Sequence, residues 1–370
     1  MFIQIFMVIV ILLVCPSIAS EITLPKPAGQ YAVGTKAMDI TDPTRTQLRD
    51  ISPRRWMAQV FYPCQSHTKT YPYRPGTLNN GMIDEMRVLA HAAPDAPVLK
   101  SIVAPFPLIF FAPGFGGGRQ DHTILCEELA SHGYVVVSFD HPYVTNYIRF
   151  TDGSVIVPTF KDAWKSMTRW DRDYRYQYFD DAMKAAIGDI TYMLDHIDLF
   201  QQALNRTINE KQIILMGHSF GGNISHTLGF KDKRVTAVVD IDSKITERAI
   251  YGRIGVPPNE TGVPTLFIRG MMQYQEDLGD QLTKISNAET WLPVVQHGAF
   301  SDEPFLALHI PSLAQKTTFS KIYTWLFKIG PQLDTVDTNL GNFTVDQWYI
   351  EYKTKIISWL NIQVKAKSGM

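Results

Sequence analysis

Gly217-His218-Ser219-Phe220-Gly221 sets a serine between glycines, after the apolar run Gln212-Ile213-Ile214-Leu215-Met216 and before Gly222-Asn223-Ile224-Ser225-His226-Thr227-Leu228. The run before it reads as a buried strand and the segment after it as a helix. A G-x-S-x-G between strand and helix makes a sharp turn that holds the serine hydroxyl clear of the sheet. Its glycines are needed because side chains there would meet the neighbouring strand and helix. The plainer alternative is a strand-to-helix turn that merely contains a serine. A serine in this setting becomes a nucleophile when a base takes its proton and an acid orients that base.

The chain order expected around such a turn is serine, then acid, then histidine. His297, in Gln296-His297-Gly298-Ala299-Phe300, follows the last expected strand and is the candidate base, with His309 in reserve. The acid has two places to come from. The strand after next ends in Pro264-Thr265-Leu266-Phe267-Ile268-Arg269-Gly270, where the usual slot holds Gln273, and Glu276 and Asp277 follow a few residues later. The next strand instead ends in Val238-Val239-Asp240-Ile241-Asp242. Asp242 lies nearer the strand end and is the choice, with Asp277 left open as the alternative. Asp240 reads as a structural acid, because a buried carboxylate without partners is costly.

A developing oxyanion needs two backbone N–H donors. Phe220 supplies one directly after the serine. Phe115 supplies the other from Pro113-Gly114-Phe115-Gly116-Gly117-Gly118, where Gly114 lets the backbone approach a substrate closely. A phosphate-binding loop is the rival reading of these glycines, but its lysine is missing. No H-E-x-x-H pattern occurs, so metal catalysis is not expected.

These groups need strand ends to hold them. Strands are expected over 31–40, 55–62, 107–112, 134–139, 212–216, 235–241, 265–269 and 291–296. Helices are expected over 121–132, capped by Asp121, and over 179–204, with a turn at 41–43 and a short helix near 82–91. Strands alternating with helices predict an α/β fold: a mostly parallel sheet with helices on both faces and its site at the carboxyl ends of the strands. Residues 142–178 break the alternation and carry Trp164 and Trp170 among other aromatics. They read as a lid-like insertion whose tryptophans wall a substrate. An ordinary surface excursion is the alternative.

The chain has 370 residues, of which 45% are hydrophobic and 19% charged, with a formal charge of −1. This suits one globular domain over 21–370 and gives no basis for nucleic-acid binding. Residues 1–20 are apolar and end in small residues, which predicts a signal peptide and a secreted or periplasmic protein. They hold no lysine or arginine, so an N-terminal membrane anchor is the alternative. Cys64 and Cys126 could pair after export or stay as free thiols, and the sequence leaves both open. Asn205, Asn259 and Asn342 begin glycosylation sequons.

With these residues assembled, the chain resembles the plasma-type (group VII) platelet-activating factor acetylhydrolases of the α/β-hydrolase superfamily. The resemblance rests on Gly217-His218-Ser219-Phe220-Gly221-Gly222 and on the interval from Ser219 to Asp242. It rests further on Leu108-Ile109-Phe110 leading to Gly114-Phe115-Gly116, on Leu129-Ala130-Ser131-His132-Gly133-Tyr134, on Phe139-Asp140-His141, and on His297 followed by Ala299-Phe300-Ser301-Asp302. It runs from about residue 31 to 305, and the chain after 311 has no counterpart in it. It implies an α/β-hydrolase fold and calcium-independent, cofactor-free hydrolysis of short or oxidised sn-2 acyl chains of phospholipids. Ser219, Asp242 and His297 would be the catalytic residues, a small ester or phospholipid the substrate, and a lipid surface a further contact. A general secreted carboxylesterase or cutinase-like polyester hydrolase is the second reading. A catalytically silent binding module is the third.

Overall fold

Every residue from Phe106 to Ala112 is buried, which a strand achieves only in the middle of a sheet covered on both faces. The computed structural model describes residues 21–66, 69–73, 88–99, 105–157, 172–243, 262–270, 287–309 and 340–365, without the side chains of 172–176. The expected leader, Trp164, Trp170, Gln273, Glu276, Asp277 and the Asn259 sequon lie outside these residues. Among the described residues, no helix is long and apolar enough to cross a membrane.

The main sheet contains β1 (Ala32–Thr46), β2 (Pro53–Cys64), β3 (Ala93–Pro94), β4 (Phe106–Ala112), β5 (Val135–Phe139), β6 (Ile208–His218), β7 (Val235–Ile241), β8 (Thr265–Ile268) and β9 (Ala288–Trp291). Their order across the sheet is β9-β8-β7-β6-β4-β5-β2-β1-β3. From β9 to β5 every pairing is parallel, and β2 joins β5 and β1 antiparallel. Helices α1 (Thr123–Ser131), α2 (Arg172–Asp195), α3 (Ile197–Ala203), α4 (Phe220–Gly229), α5 (Glu303–His309) and α6 (Val345–Leu360) accompany it. Alternate residues of β4 divide the core. Ile109 and Phe111 join Leu125 and Leu129 of α1 and Trp348, Tyr352 and Ile356 of α6. Leu108 and Phe110 face Ala186 and Ile190 of α2, Phe200 of α3 and Ile224 of α4. This is the mostly parallel, two-sided α/β architecture expected from the alternation.

Several local expectations need correction. The turn placed at 41–43 is an irregularity inside β1: buried Asp42 accepts hydrogen bonds from the Thr44 N–H and hydroxyl and from Arg45 Nε. The hairpin turns instead between Thr46 and Pro53. Val88–Ala90, inside the expected helix 82–91, is a strand paired with Ile22–Thr23 and Tyr71–Pro72, and residues 82–87 lie outside the described set. Short apolar runs carry no period of their own, so tertiary pairing decided this one. The helix expected over 179–204 begins at Arg172 and breaks at His196 into α2 and α3. Among the described residues the last strand is Ala288–Trp291 rather than 291–296, because Pro293 cannot donate to a ladder. Cys64 and Cys126 are both buried free thiols.

The C-terminal helix α6 was not anticipated, although its signals are visible. Thr344 accepts from the Gln347 N–H and Gln347 Oε1 accepts from the Thr344 N–H, a capping box. Trp348, Tyr352, Ile356 and Leu360 then recur at helical spacing on its buried face.

Helix α1 is buried along its whole length and carries two adjacent acids. Burial works against the Glu128 charge, yet bonds to His132 and Lys353 hold its carboxyl below the usual carboxylate range. Glu127 is different. Burial pushes its carboxyl up to about 8, against the N–H donors of Ala92 and His91 and the charge of Lys353, and with the help of the Glu128 charge. Its Oε2 has no partner among the described residues. The folded chain therefore keeps this proton where the unfolded chain releases it, so stability is greatest below the ordinary carboxyl value and falls as pH rises toward 8. Glu127→Gln should remove that decline, with a gain at pH 8 on the order of 2–4 kcal/mol. Denaturant unfolding of both proteins at pH 5 and pH 8 checks this; equal declines would mean that Glu127 is already ionised in the fold.

Candidate active site

The turn at Ser219 follows from two glycines that nothing larger could replace. A Cβ on Gly221 would lie 1.9 Å from the Ala112 carbonyl oxygen, and one on Gly217 would lie 2.3 Å from Gly221. Strand β4, strand β6 and helix α4 thus touch backbone to backbone, and the chain between them has to turn at once. Ser219 takes that turn at φ 55° and ψ −115°, a conformation that costs a non-glycine residue about 1–3 kcal/mol. Its N–H donates to the Ile241 carbonyl at 2.8 Å, and its carbonyl accepts from Asn223 at 3.2 Å.

One strand over, β7 delivers Asp242 in a second left-handed conformation, φ 49°. Its N–H donates to the Ile268 carbonyl at 2.7 Å. The side chain is wholly buried, and both oxygens are engaged: Oδ1 accepts from the Gly270 N–H at 2.6 Å, and Oδ2 pairs with His297 Nδ1 at 2.5 Å. Asp240 points elsewhere. It is held by Arg269 at 3.0 and 3.1 Å and by the Ser243 hydroxyl at 2.7 Å, the structural role expected of it.

His297 opens a short 3-10 turn, His297–Phe300, six residues beyond the end of β9, with its side chain about one-third exposed. Neighbours hold this turn by its carbonyls. Trp348 Nε1 donates to Ala299 at 2.6 Å and the Tyr349 hydroxyl to Ser301 at 2.7 Å, both from α6. His122 Nδ1 meets the Phe300 carbonyl at 3.0 Å and His218 Nε2 the His297 carbonyl at 3.2 Å. Asp302, just past the turn, accepts from the N–H groups of Thr123 and Ile124 at the start of α1. That is the capping role assigned to Asp121, whose carboxylate accepts from the Gly118 N–H instead.

His122 and His218 were not singled out from the sequence, and the structure makes them part of the site. The His218 ring lies 4.6 Å from that of His297 and 5.2 Å from that of His122. Burial, together with the charges that His297 and His122 would carry, holds His218 well below its ordinary value, so it is neutral. A neutral ring bonded to a carbonyl through Nε2 carries its proton there. The signal was within reach, since His218 directly precedes the serine. Ligand atoms of His218, Asp242 and His297 fall within 4.8 Å of one another, close enough for a cation. The Asp242 oxygens and His297 Nδ1 already satisfy each other and Gly270, so hydrogen bonding alone accounts for the cluster.

The glycine loop lies against the turn: a Cβ on Gly114 would sit 3.5 Å from Ser219 Cβ and 3.4 Å from His218 Nδ1. Gly116, at φ +82°, turns the loop back. The ring of Phe115 packs on Phe179 at 4.8 Å, Phe220 at 6.0 Å and Tyr178 at 6.1 Å. The rings of Phe115 and of Phe220, directly after Ser219, therefore meet against Phe179 of α2. His309 is not brought here; it ends α5, with Nδ1 on the Phe305 carbonyl of its own helix.

Residues 107–278 match the family described as "alpha/beta hydrolase fold". In sequence the chain is 25% identical over 268 residues to "Probable 1-alkyl-2-acetylglycerophosphocholine esterase" of Arthroderma benhamiae, covering 65% of this chain and 64% of that one. It is 24% identical over 173 residues to "Platelet-activating factor acetylhydrolase" of Bos taurus, covering 41% and 38%. The matches thus span under two thirds of each relative. Among solved structures, a ferulic acid esterase from Streptomyces cinnamoneus superposes with a TM-score of 0.70 at 20% identity, over 94% of both chains. The chain has the α/β-hydrolase fold and is distantly related to enzymes of the platelet-activating factor acetylhydrolase type.

Proposed function

We propose that the protein is a serine esterase that releases short or oxidised sn-2 acyl chains from phospholipids by two-step acyl transfer. The observation that carries the serine chemistry is the 2.5 Å pairing of buried Asp242 with His297, on a turn packed against the Ser219 elbow. The preference for a short phospholipid acyl chain is supported by the names of the two sequence relatives.

In this reading the Asp242 carboxylate accepts the Nδ1 proton of His297, leaving Nε2 as the base that takes the Ser219 proton. Ser219 Oγ attacks the ester carbonyl, and the N–H groups of Phe115 and Phe220 donate to the oxyanion. Collapse expels the lysophospholipid, which takes its proton from His297. Water, deprotonated by the same imidazole, then frees the acyl group. Gly114 lets the backbone close on the ester, and the insertion with Trp164 and Trp170 supplies the apolar wall. The chemistry uses protons alone and calls for no metal or other cofactor. We read residues 1–20 as an export leader; N-terminal sequencing of the secreted protein should begin after Ala19 or Ser20.

Ser219→Ala should lower kcat by about 10⁶-fold and Asp242→Asn by about 10⁴-fold. Asp240→Asn should act on stability, since Asp240 pairs with Arg269 away from His297. Steady-state rates on p-nitrophenyl acetate with melting curves test this, and an Asp242→Asn enzyme of wild-type rate would move the acid to Asp277. The substrate reading is tested by acetate release from a 2-acetyl phospholipid against palmitate release from a long-chain one, with chelator present. Ser219-dependent release confined to the acetyl substrate is expected. Simple esters cleaved without either release would leave a general carboxylesterase.

A further inference from the structure

We infer that Thr145 is a positioning residue of the oxyanion hole, fixing the glycine loop that carries Phe115. The inference rests on the serine-esterase reading of Ser219. A loop of glycines has no side chains with which to hold its own shape, so its peptide groups need partners from elsewhere. The Gly117 N–H turns back to the Gly114 carbonyl at 3.0 Å and the Gly118 N–H donates to Asp121, while the carbonyls of Gly116 and Gly117 find partners in the segment that follows β5. The Thr145 hydroxyl donates to the Gly117 carbonyl at 2.8 Å, and the Asn146 N–H donates to the Gly116 carbonyl at 3.1 Å. Asp140 accepts the Arg119 N–H at 2.8 Å and pairs with its guanidinium. The two carbonyls straight after Phe115 are thus tied to consecutive residues of one neighbouring turn.

Thr145 is the central tie. It is buried, and its Oγ1 accepts the His141 N–H at 2.9 Å while donating to Gly117. Its own N–H donates to the His141 carbonyl at 2.8 Å, which closes the 141–145 turn on itself. One hydroxyl therefore links that turn to the loop beside Ser219. The same turn opens the insertion, which runs on through the hairpin Ile148–Arg149 and Val155–Ile156. The insertion and the oxyanion loop share this root.

The test compares Thr145→Val, which keeps the shape and loses the hydroxyl, with Thr145→Ser, which keeps the hydroxyl. Each is assayed on p-nitrophenyl acetate and for inhibition by a trifluoromethyl ketone, whose serine adduct carries the oxyanion. Thr145→Val should lose kcat about 10- to 100-fold with KM within about twofold, and bind the ketone more weakly by a similar factor, with Ser restoring both. Should the valine variant not fold, Thr145→Cys, close in size and a weak donor, should show an intermediate loss. Wild-type kcat in the variants, or a kcat loss without weaker ketone binding, overturns the inference. Failure of the wild-type enzyme to react with an alkyl fluorophosphonate would instead overturn the serine-esterase reading, and this inference with it.

Discussion

The site depends on a backbone contact with no room for a side chain. Ala112, Gly217 and Gly221 bring β4, β6 and the first turn of α4 so close that any Cβ at either glycine would overlap another backbone. That approach forces Ser219 into a left-handed conformation. It also sets Gly114 and Phe115 beside Ser219, because the glycine loop begins where β4 ends against β6. The strain at Ser219 is offset by the surrounding sheet, whose core residues on both faces are almost all buried.

The proposed base is positioned by different means. His297 lies on a short turn with little regular structure of its own, and its place is set by donors to successive carbonyls from α6, His122 and His218. Two of these supports are uncharged: Trp348 cannot ionise, and burial keeps His218 neutral. A charged His218 would oppose formation of an imidazolium at His297, only 4.6 Å away between rings. Neutral donors orient the turn without that electrostatic cost.

The acids illustrate how burial sorts chemically identical groups. Asp240, in β7, and Asp242, just past its end, are both wholly buried, yet one meets Arg269 and Ser243 and the other Gly270 and His297. The difference comes from the chain leaving the sheet at Asp242, whose left-handed conformation redirects its side chain past the end of β8. Glu127 and Glu128 diverge in the same way, one left with a single engaged oxygen and the other joined to Lys353.

Much of the fold was legible from apolar runs bounded by turn residues and alternating with helical patterns. Buried strands and the serine elbow announce themselves through apolar runs and obligatory glycines, so the sheet, its parallel sense and the position of Ser219 follow from residues 106–241 read in order. The Asp242–His297 pair was legible more weakly, as two polar residues at the ends of apolar segments. Other features had no local signature. Val88–Ala90 became a strand through pairing with distant segments. Asp302 rather than Asp121 caps α1, because the cap reaches across the fold. His122, His218 and Trp348 hold the histidine turn through contacts between residues tens to hundreds of positions apart. Sequence alone determined which groups can do the chemistry, since that depends on residue type and local backbone. Tertiary structure decided which partners hold them in place, since a hydrogen bond between distant segments exists only once packing has brought them together.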